Sequence, residues 1–157
     1  VNVISWQQRL RYLGVHVVAG RVFSYSVDSA KCAFYRAFNA AYGKVGNVAS
    51  EEVILHIVKS KCMPLLLYGT EAMRLKKAQV KSAEFAVTNC FMKIFKTKSK
   101  EVVTECMSYL NFEDFSVCVS RRKRKFLTNF IANFDSHVVC CVFIDMARAE
   151  LKSISIG

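Results

Sequence analysis

The chain has 157 residues, 53% of them hydrophobic and 12% aromatic, and a chain of this length buries roughly 70% of the surface its unfolded form exposes, which excludes a disordered segment. Its longest apolar run, Val138 to Ile144, falls far short of the roughly 20 residues a helix needs to cross a bilayer, and Asn2, Gln7, Gln8 and Arg9 break up any secretory leader. The formal charge of +11 is concentrated: between Arg74 and Lys125 stand 13 Lys or Arg against five acids, a net +8 in one third of the chain, so a polyanionic partner is expected there.

The predicted elements begin with short strands. Val3 and Ile4, the run Leu10 to Val18, and Val22 to Tyr25 read as strand, with Ala19-Gly20 as the hairpin turn because Gly takes the positive φ that tight turns need. Beyond Ser26 the pattern is helical. Asp28 or Ser26 caps a helix that buries Phe34, Ala37, Phe38, Ala41 and Tyr42 and stops at Gly43 and Gly46. Ser50 caps a second helix, with Glu51 and Glu52 suiting its positive end, that buries Ile54, Ile57 and Val58 and is ended or kinked by Pro64.

A longer helix is expected over Lys76 to Lys96, with Val80, Ala83, Val87, Cys90, Phe91, Ile94 and Phe95 as its apolar stripe and Lys77, Lys81 and Thr88 opposite. Ser99 caps a short helix through Tyr109, and Phe115 or Ser116 opens one that turns Phe126, Leu127, Phe130, Ile131 and Phe134 inward and Arg121, Arg122, Arg124 and Lys125 outward. A last helix covers Val138 to Lys152. The fold class is therefore mainly α, a helical bundle with a small N-terminal antiparallel β hairpin, and no linker divides it.

No catalytic constellation stands out. Glu51-Glu52 sit at a helix start, Glu113-Asp114 lie in a loop between helices without the hairpin flanks of an acidic polymerase turn, and neither His16 nor His56 has a nucleophile beside it. The seven cysteines are odd in number and lack a C-x-x-C pair, so they read as reduced, small apolar residues of an intracellular chain; His137, Cys140 and Cys141 do not complete a zinc site. The residues point to a binding module.

Arg11-Tyr12-Leu13-Gly14-Val15 resembles the Y/F-L-G-V segment of non-LTR (LINE-type) retrotransposon reverse transcriptases. The order of the downstream segments strengthens the likeness: Ala33-Phe34-Tyr35-Arg36-Ala37-Phe38-Asn39, then Gly43-Lys44-Val45-Gly46, then Lys61 to Glu71, which is similar to the family's P-x-L-x-Y-G-x-E block, and Met92-Lys93-Ile94-Phe95-Lys96 in the next helix. The resemblance runs from about residue 1 to residue 112 and implies residues 1–26 as a palm remnant carrying the primer grip (Tyr12, Leu13, Gly14, Val15) and residues 27–157 as a helical thumb. It also implies duplex-backbone contacts from Lys77, Lys81, Lys93, Lys96, Lys98, Arg121, Arg122, Arg124 and Lys125, an RNA/DNA template–primer as ligand, and the upstream polymerase segments as partner.

The family's catalytic Phe/Tyr-x-Asp-Asp turn lies upstream of Y-L-G-V, and this chain holds no aspartate before Asp28. No catalytic residue is carried over, and Mg²⁺ is expected only in the absent palm. The expectation is a nuclear or cytoplasmic polymerase fragment that binds duplex without performing chemistry and without a membrane. The alternatives are a helical protein-interaction module with a basic surface, its Arg121 to Lys125 run serving import, or a decayed reading frame with no activity.

Overall fold

The computed structural model describes residues 7–20, 24–46, 48–133 and 138–155. Its first element is a ribbon: β1 (Arg9–Tyr12) pairs antiparallel with β2 (Val15–Val18), in a register that runs from Arg9 opposite Val18 to Tyr12 opposite Val15. Two residues close the turn, Leu13 at φ 47° and Gly14 at φ 79°, the positive pair that matches the twist of the flanking strands. Gly14 adopts this freely, whereas a leucine in the left-handed region costs about 1–2 kcal/mol. A third strand, β3 (Ser24–Tyr25), pairs with the other edge of β2, giving the order β1-β2-β3.

The tight turn thus lies one strand earlier than expected. Ala19-Gly20 belongs to the connection between β2 and β3, while the run from Leu10 to Val18 folds back on itself at Leu13-Gly14. Leucine is a poor turn signal, and its apolar side chain makes two strands look like one. The expected strands at Val3, Ile4 and Val22 lie outside the described residues.

Helix α1 (Asp28–Val45) buries Ala30, Phe34 and Phe38. It passes through Gly43 and ends before Gly46, since a single glycine in a helix costs about 1 kcal/mol and tertiary packing outweighs it. Next comes α2 (Glu51–Ile57), whose acids sit in its first turn; the Ser50 hydroxyl makes no capping bond. Ile54, Leu55 and Val58 are buried and Ile57 only partly so.

Pro64 does not end the helical path. Residues Val58–Cys62 form a π turn that runs directly into α3 (Met63–Leu66), with Pro64 in the first turn of α3. A proline ring clashes with the carbonyl four residues earlier and offers no N–H to it. Widening the preceding turn, so that Met63 N–H donates to the carbonyl of Val58, removes that conflict and keeps Val58, Cys62, Met63 and Leu66 all facing the core.

Helix α4 (Lys77–Ile94) buries Ala83, Ala86, Val87, Cys90, Phe91 and Ile94. Helix α5 (Lys100–Tyr109) is capped by Ser99, whose Oγ accepts from Val102 N–H at 3.3 Å. Two long helices complete the bundle, α6 (Phe115–Asn133) and α7 (Val138–Ser155). The chain is therefore mainly α with a small N-terminal antiparallel element, and among the described residues no helix is long and apolar enough to cross a membrane.

One apolar core runs from Val15 and Tyr25 through α1, α2, α3, α4 and α5 to Phe115 and Cys118 of α6. Phe34, Phe38 and Phe91 lie at its centre, and Phe91 meets Phe112 edge-on at 4.6 Å. Leu127, Ile144 and Ala147 are buried apart from this core, where α7 packs on the outer half of α6. Phe126, expected to face inward, is 40% exposed; Phe134 lies outside the described residues.

Candidate nucleic-acid interface

The tip of the ribbon and the turn after α3, within residues 12–15 and 64–71, are brought into contact. Tyr68 donates its hydroxyl to the carbonyl of Leu13 at 2.8 Å, and Tyr25, from β3, donates to the carbonyl of Tyr68 at 3.2 Å. Gly69 has φ 76°, and a Cβ on it would come within 2.9 Å of Val15 Cγ2. The turn after α3 is thereby seated on β2 with no room for a larger residue. Burial raises the Tyr25 hydroxyl above its ordinary range, and the nearby Glu71 carboxylate adds to the shift.

The four residues expected as a primer grip divide by role. Tyr12 and Leu13 are 64% and 72% exposed and can meet a ligand. Val15 is buried and anchors the ribbon to the helical core. At Gly14 it is the positive φ of 79° that calls for glycine; an added Cβ would meet Tyr68 Cε1 at 3.4 Å, an ordinary contact. Leu10, 58% exposed and not among the expected residues, extends the apolar surface that Tyr12 and Leu13 offer.

The expected backbone-binding cations are also sorted by the fold. Lys77 and Lys81, four residues apart on α4, share an exposed face opposite the buried stripe. Lys93 points elsewhere. Its ammonium donates to Asn39 Oδ1 at 3.1 Å and lies over the rings of Phe38 and Tyr42, while the Tyr42 hydroxyl donates to the Lys93 carbonyl, so this lysine ties α4 to α1. Lys96, at φ 51°, and Lys98 come after the end of α4 and are exposed.

Most of the α6 cations have partners within the chain. Arg121 pairs with Glu113, Arg122 Nε stands 3.9 Å from Glu71 Oε2, and Arg124 donates to the carbonyl of Ile154 at 3.3 Å. Lys125 is exposed. Lys123, 15% exposed, pairs with Glu150 of α7. The basic run therefore fastens α6 to its surroundings as much as it faces solvent.

Between α4, α5 and the start of α6 lies a groove of about 770 Å³. Phe85, Phe112 and Phe115 contribute apolar surface, and the charges of Lys81 and Lys100 are offset by Glu84 and Asp114, with Glu113 paired to Arg121. Such balanced charge gives no drive toward a polyanion. A second cleft lies at the open end of the hairpin and is lined by Arg9, Lys31 and Lys76 with one acid, Asp28. These three cations come from positions far apart in the chain, so no local spacing could have revealed them.

No protein-family model, curated protein or solved structure matches this chain. Its chemistry is set by its own residues. Among the described residues no three His, Cys, Asp or Glu gather as metal ligands; the side chains of Cys140 and Cys141, and His137, lie outside them. Glu113 is taken up by Arg121 and by the Cys118 thiol, which donates to it. Cys62, Cys90 and Cys118 are buried, and burial drives the Cys90 thiol up to about 12, with Cys62 adding to the shift, so it stays protonated and unreactive at neutral pH.

Proposed function

We propose that this chain is the part of a non-LTR retrotransposon reverse transcriptase that grips the template–primer duplex, lying downstream of the catalytic aspartates and holding none itself. The observation that supports this reading is the seating of the Leu13-Gly14 turn on Tyr68-Gly69. The two segments that resemble the family's primer grip and the start of its thumb form one packed unit, although 55 residues separate Leu13 from Tyr68.

In this reading Tyr12 and Leu13 bear on the primer terminus by shape, and Lys77 and Lys81 lie along the sugar-phosphate backbone. Phosphate contacts position a duplex without reading its sequence, so binding is expected to be indifferent to base composition and steeply salt-dependent. Mg²⁺ and the chemical step belong to the upstream palm, which is the expected partner, and the expected setting is nuclear or cytoplasmic.

Fluorescence anisotropy of a labelled RNA/DNA hybrid across a salt series tests the reading. The expected result is low-salt binding whose slope against log salt shrinks by about 2 in the Lys77→Gln/Lys81→Gln variant, from about 0.9 per lost phosphate contact. No binding at low salt, or a slope the variant leaves unchanged, overturns it. The charge-balanced, partly apolar groove between α4, α5 and α6 supports a second reading, a protein-interaction module; capture of a defined partner that survives nuclease and is lost in Phe85→Ala would favour it.

A further inference from the structure

At the end of the hairpin opposite its tight turn, the strands meet the amino ends of α1 and α4 around a cleft of about 350 Å³. Three cations line it: Arg9 from β1, Lys31 from α1, and Lys76 just before α4. The one carboxylate, Asp28, has Oδ1 3.0 Å from Lys31 Nζ and is 81% exposed. Lys31 is the more enclosed of that pair, 23% exposed, and also donates to Ser82 Oγ at 2.8 Å. The cleft therefore carries an excess of two positive charges, with a half-buried lysine at its wall.

The start of α4 is arranged against the usual rule. Helix amino ends favour acids, because their N–H groups leave a partial positive charge. The first turn of α1 has Asp28, but that of α4 has no acid and is flanked by Lys76 and Lys77. Gln79 answers part of the need: its Oε1 accepts from Lys76 N–H at 2.9 Å, and its amide group donates to the carbonyl of Tyr25. The positive potential of the helix end is left beside the Lys76 ammonium at the cleft.

We propose that this cleft binds a phosphate group, and that the group is a phosphodiester of the strand that the hairpin tip engages. The assignment to a strand rests on the nucleic-acid reading; the anion site does not. Arg9 lies four residues from Leu13 along β1, about 14 Å at 3.4 Å per residue. A nucleic-acid strand carries a phosphodiester at every nucleotide, so one that runs from the tip along β1 presents a phosphate at the cleft within a few nucleotides. Arg9 and Lys76 then clasp the phosphate while Lys31, steadied by Asp28 and Ser82, supplies charge from below.

Inorganic phosphate, pyrophosphate and an RNA/DNA hybrid, each titrated into the full chain, separate the possible sources. Line broadening in the ³¹P NMR spectrum reads phosphate and pyrophosphate binding, and anisotropy reads the hybrid. Arg9→Gln/Lys76→Gln changes two exposed side chains, and Lys61→Gln/Lys152→Gln removes the same charge from remote exposed positions. The expected result is loss of phosphate binding and a hybrid affinity lowered about tenfold in the cleft variant, the scale of one or two charge-assisted hydrogen bonds, while the remote variant changes both by far less. Asp28→Asn, which removes the opposing carboxylate, should tighten phosphate binding.

Equal behaviour of the two double variants overturns the site. If the wild-type chain still binds the hybrid in that case, the nucleic-acid reading stands without it. Phosphate binding that depends on Arg9 and Lys76, in a chain that ignores the hybrid, keeps the anion site and overturns its assignment to a strand together with the broader reading.

Discussion

The outer half of α6 with α7, and the body formed by the ribbon, α1 to α5 and the start of α6, are built from the same kinds of residue but packed to different depths. The body encloses Phe34, Phe38, Phe91, Leu66 and Val103 almost completely. The α6–α7 pair encloses Leu127, Ile144 and Ala147 and leaves Phe126, Phe143 and Met146 at 40%, 53% and 67% exposure. Among the described residues the pair is also joined by polar ties, the Lys123–Glu150 pair and the bond from Arg124 to the carbonyl of Ile154. Two layers packed face to face make a core; a lone pair of helices makes a seam.

The largest test of this contrast is truncation at its two centres. Phe91→Ala should cost about 3–5 kcal/mol and Leu127→Ala nearer 2 kcal/mol, the range seen for large-to-small changes at well and less well enclosed sites, both measured by urea unfolding. Hydrogen exchange sharpens it: Leu127→Ala should speed the α7 amides and leave α1 and α4 protected. Acceleration throughout the chain would show that the two regions unfold as one.

Alkaline pH should act on the body. Burial raises the thiols of Cys62, Cys90 and Cys118, with Cys90 pushed to about 12 from an ordinary 9.0. A group whose folded pKa is raised favours the folded state fully below its unfolded value and ceases to do so as pH climbs through the folded one. Stability should therefore fall between about pH 9 and pH 12, and Cys90→Ala should flatten that limb. Residue-resolved thiol labelling at neutral pH should find Cys32, which is exposed, far faster than Cys90; equal rates would contradict the packing.

Smaller effects are expected at the glycines. Gly69→Ala places a Cβ 2.9 Å from Val15 Cγ2 at a positive φ and should cost about 1–2 kcal/mol. Gly43→Ala, inside α1 with no atom within 4 Å of the new Cβ, should stabilise by about 0.5–1 kcal/mol. Thermal melts that move in the same direction would sink this pairing. Least of all, Arg122→Gln should change stability by under about 1 kcal/mol, because its ion pair with Glu71 is long and partly exposed.

Helical periodicity makes most of the fold legible. The stripe from Ala83 to Ile94, the Phe34 and Phe38 face and the Ser99 cap are all readable because each depends on neighbours within one or two turns. The tight turn at Leu13 is not, since a leucine held at positive φ is sustained by Tyr68, a residue far along the chain. Pro64 marks an irregularity in the helical path, but its form, a π turn over Val58–Cys62 that carries the helix on rather than stopping it, is not legible from the proline alone. At the candidate interface, Lys77 and Lys81 are readable from their spacing. Helical spacing likewise sets Lys93 on a different side of α4 from that pair, but its tie to Asn39 of α1 is not local, and Arg9, Lys31 and Lys76 become neighbours only through tertiary structure.

The bond from the Tyr68 hydroxyl to the Leu13 carbonyl also constrains motion. With Val15 set against Gly69 beneath it, swinging the ribbon tip away from the turn after α3 would break that bond and open this contact, at a cost of about 0.5–1.5 kcal/mol for the bond alone. The tip that holds Tyr12 and Leu13 is thus moored to the helices rather than hung from the chain.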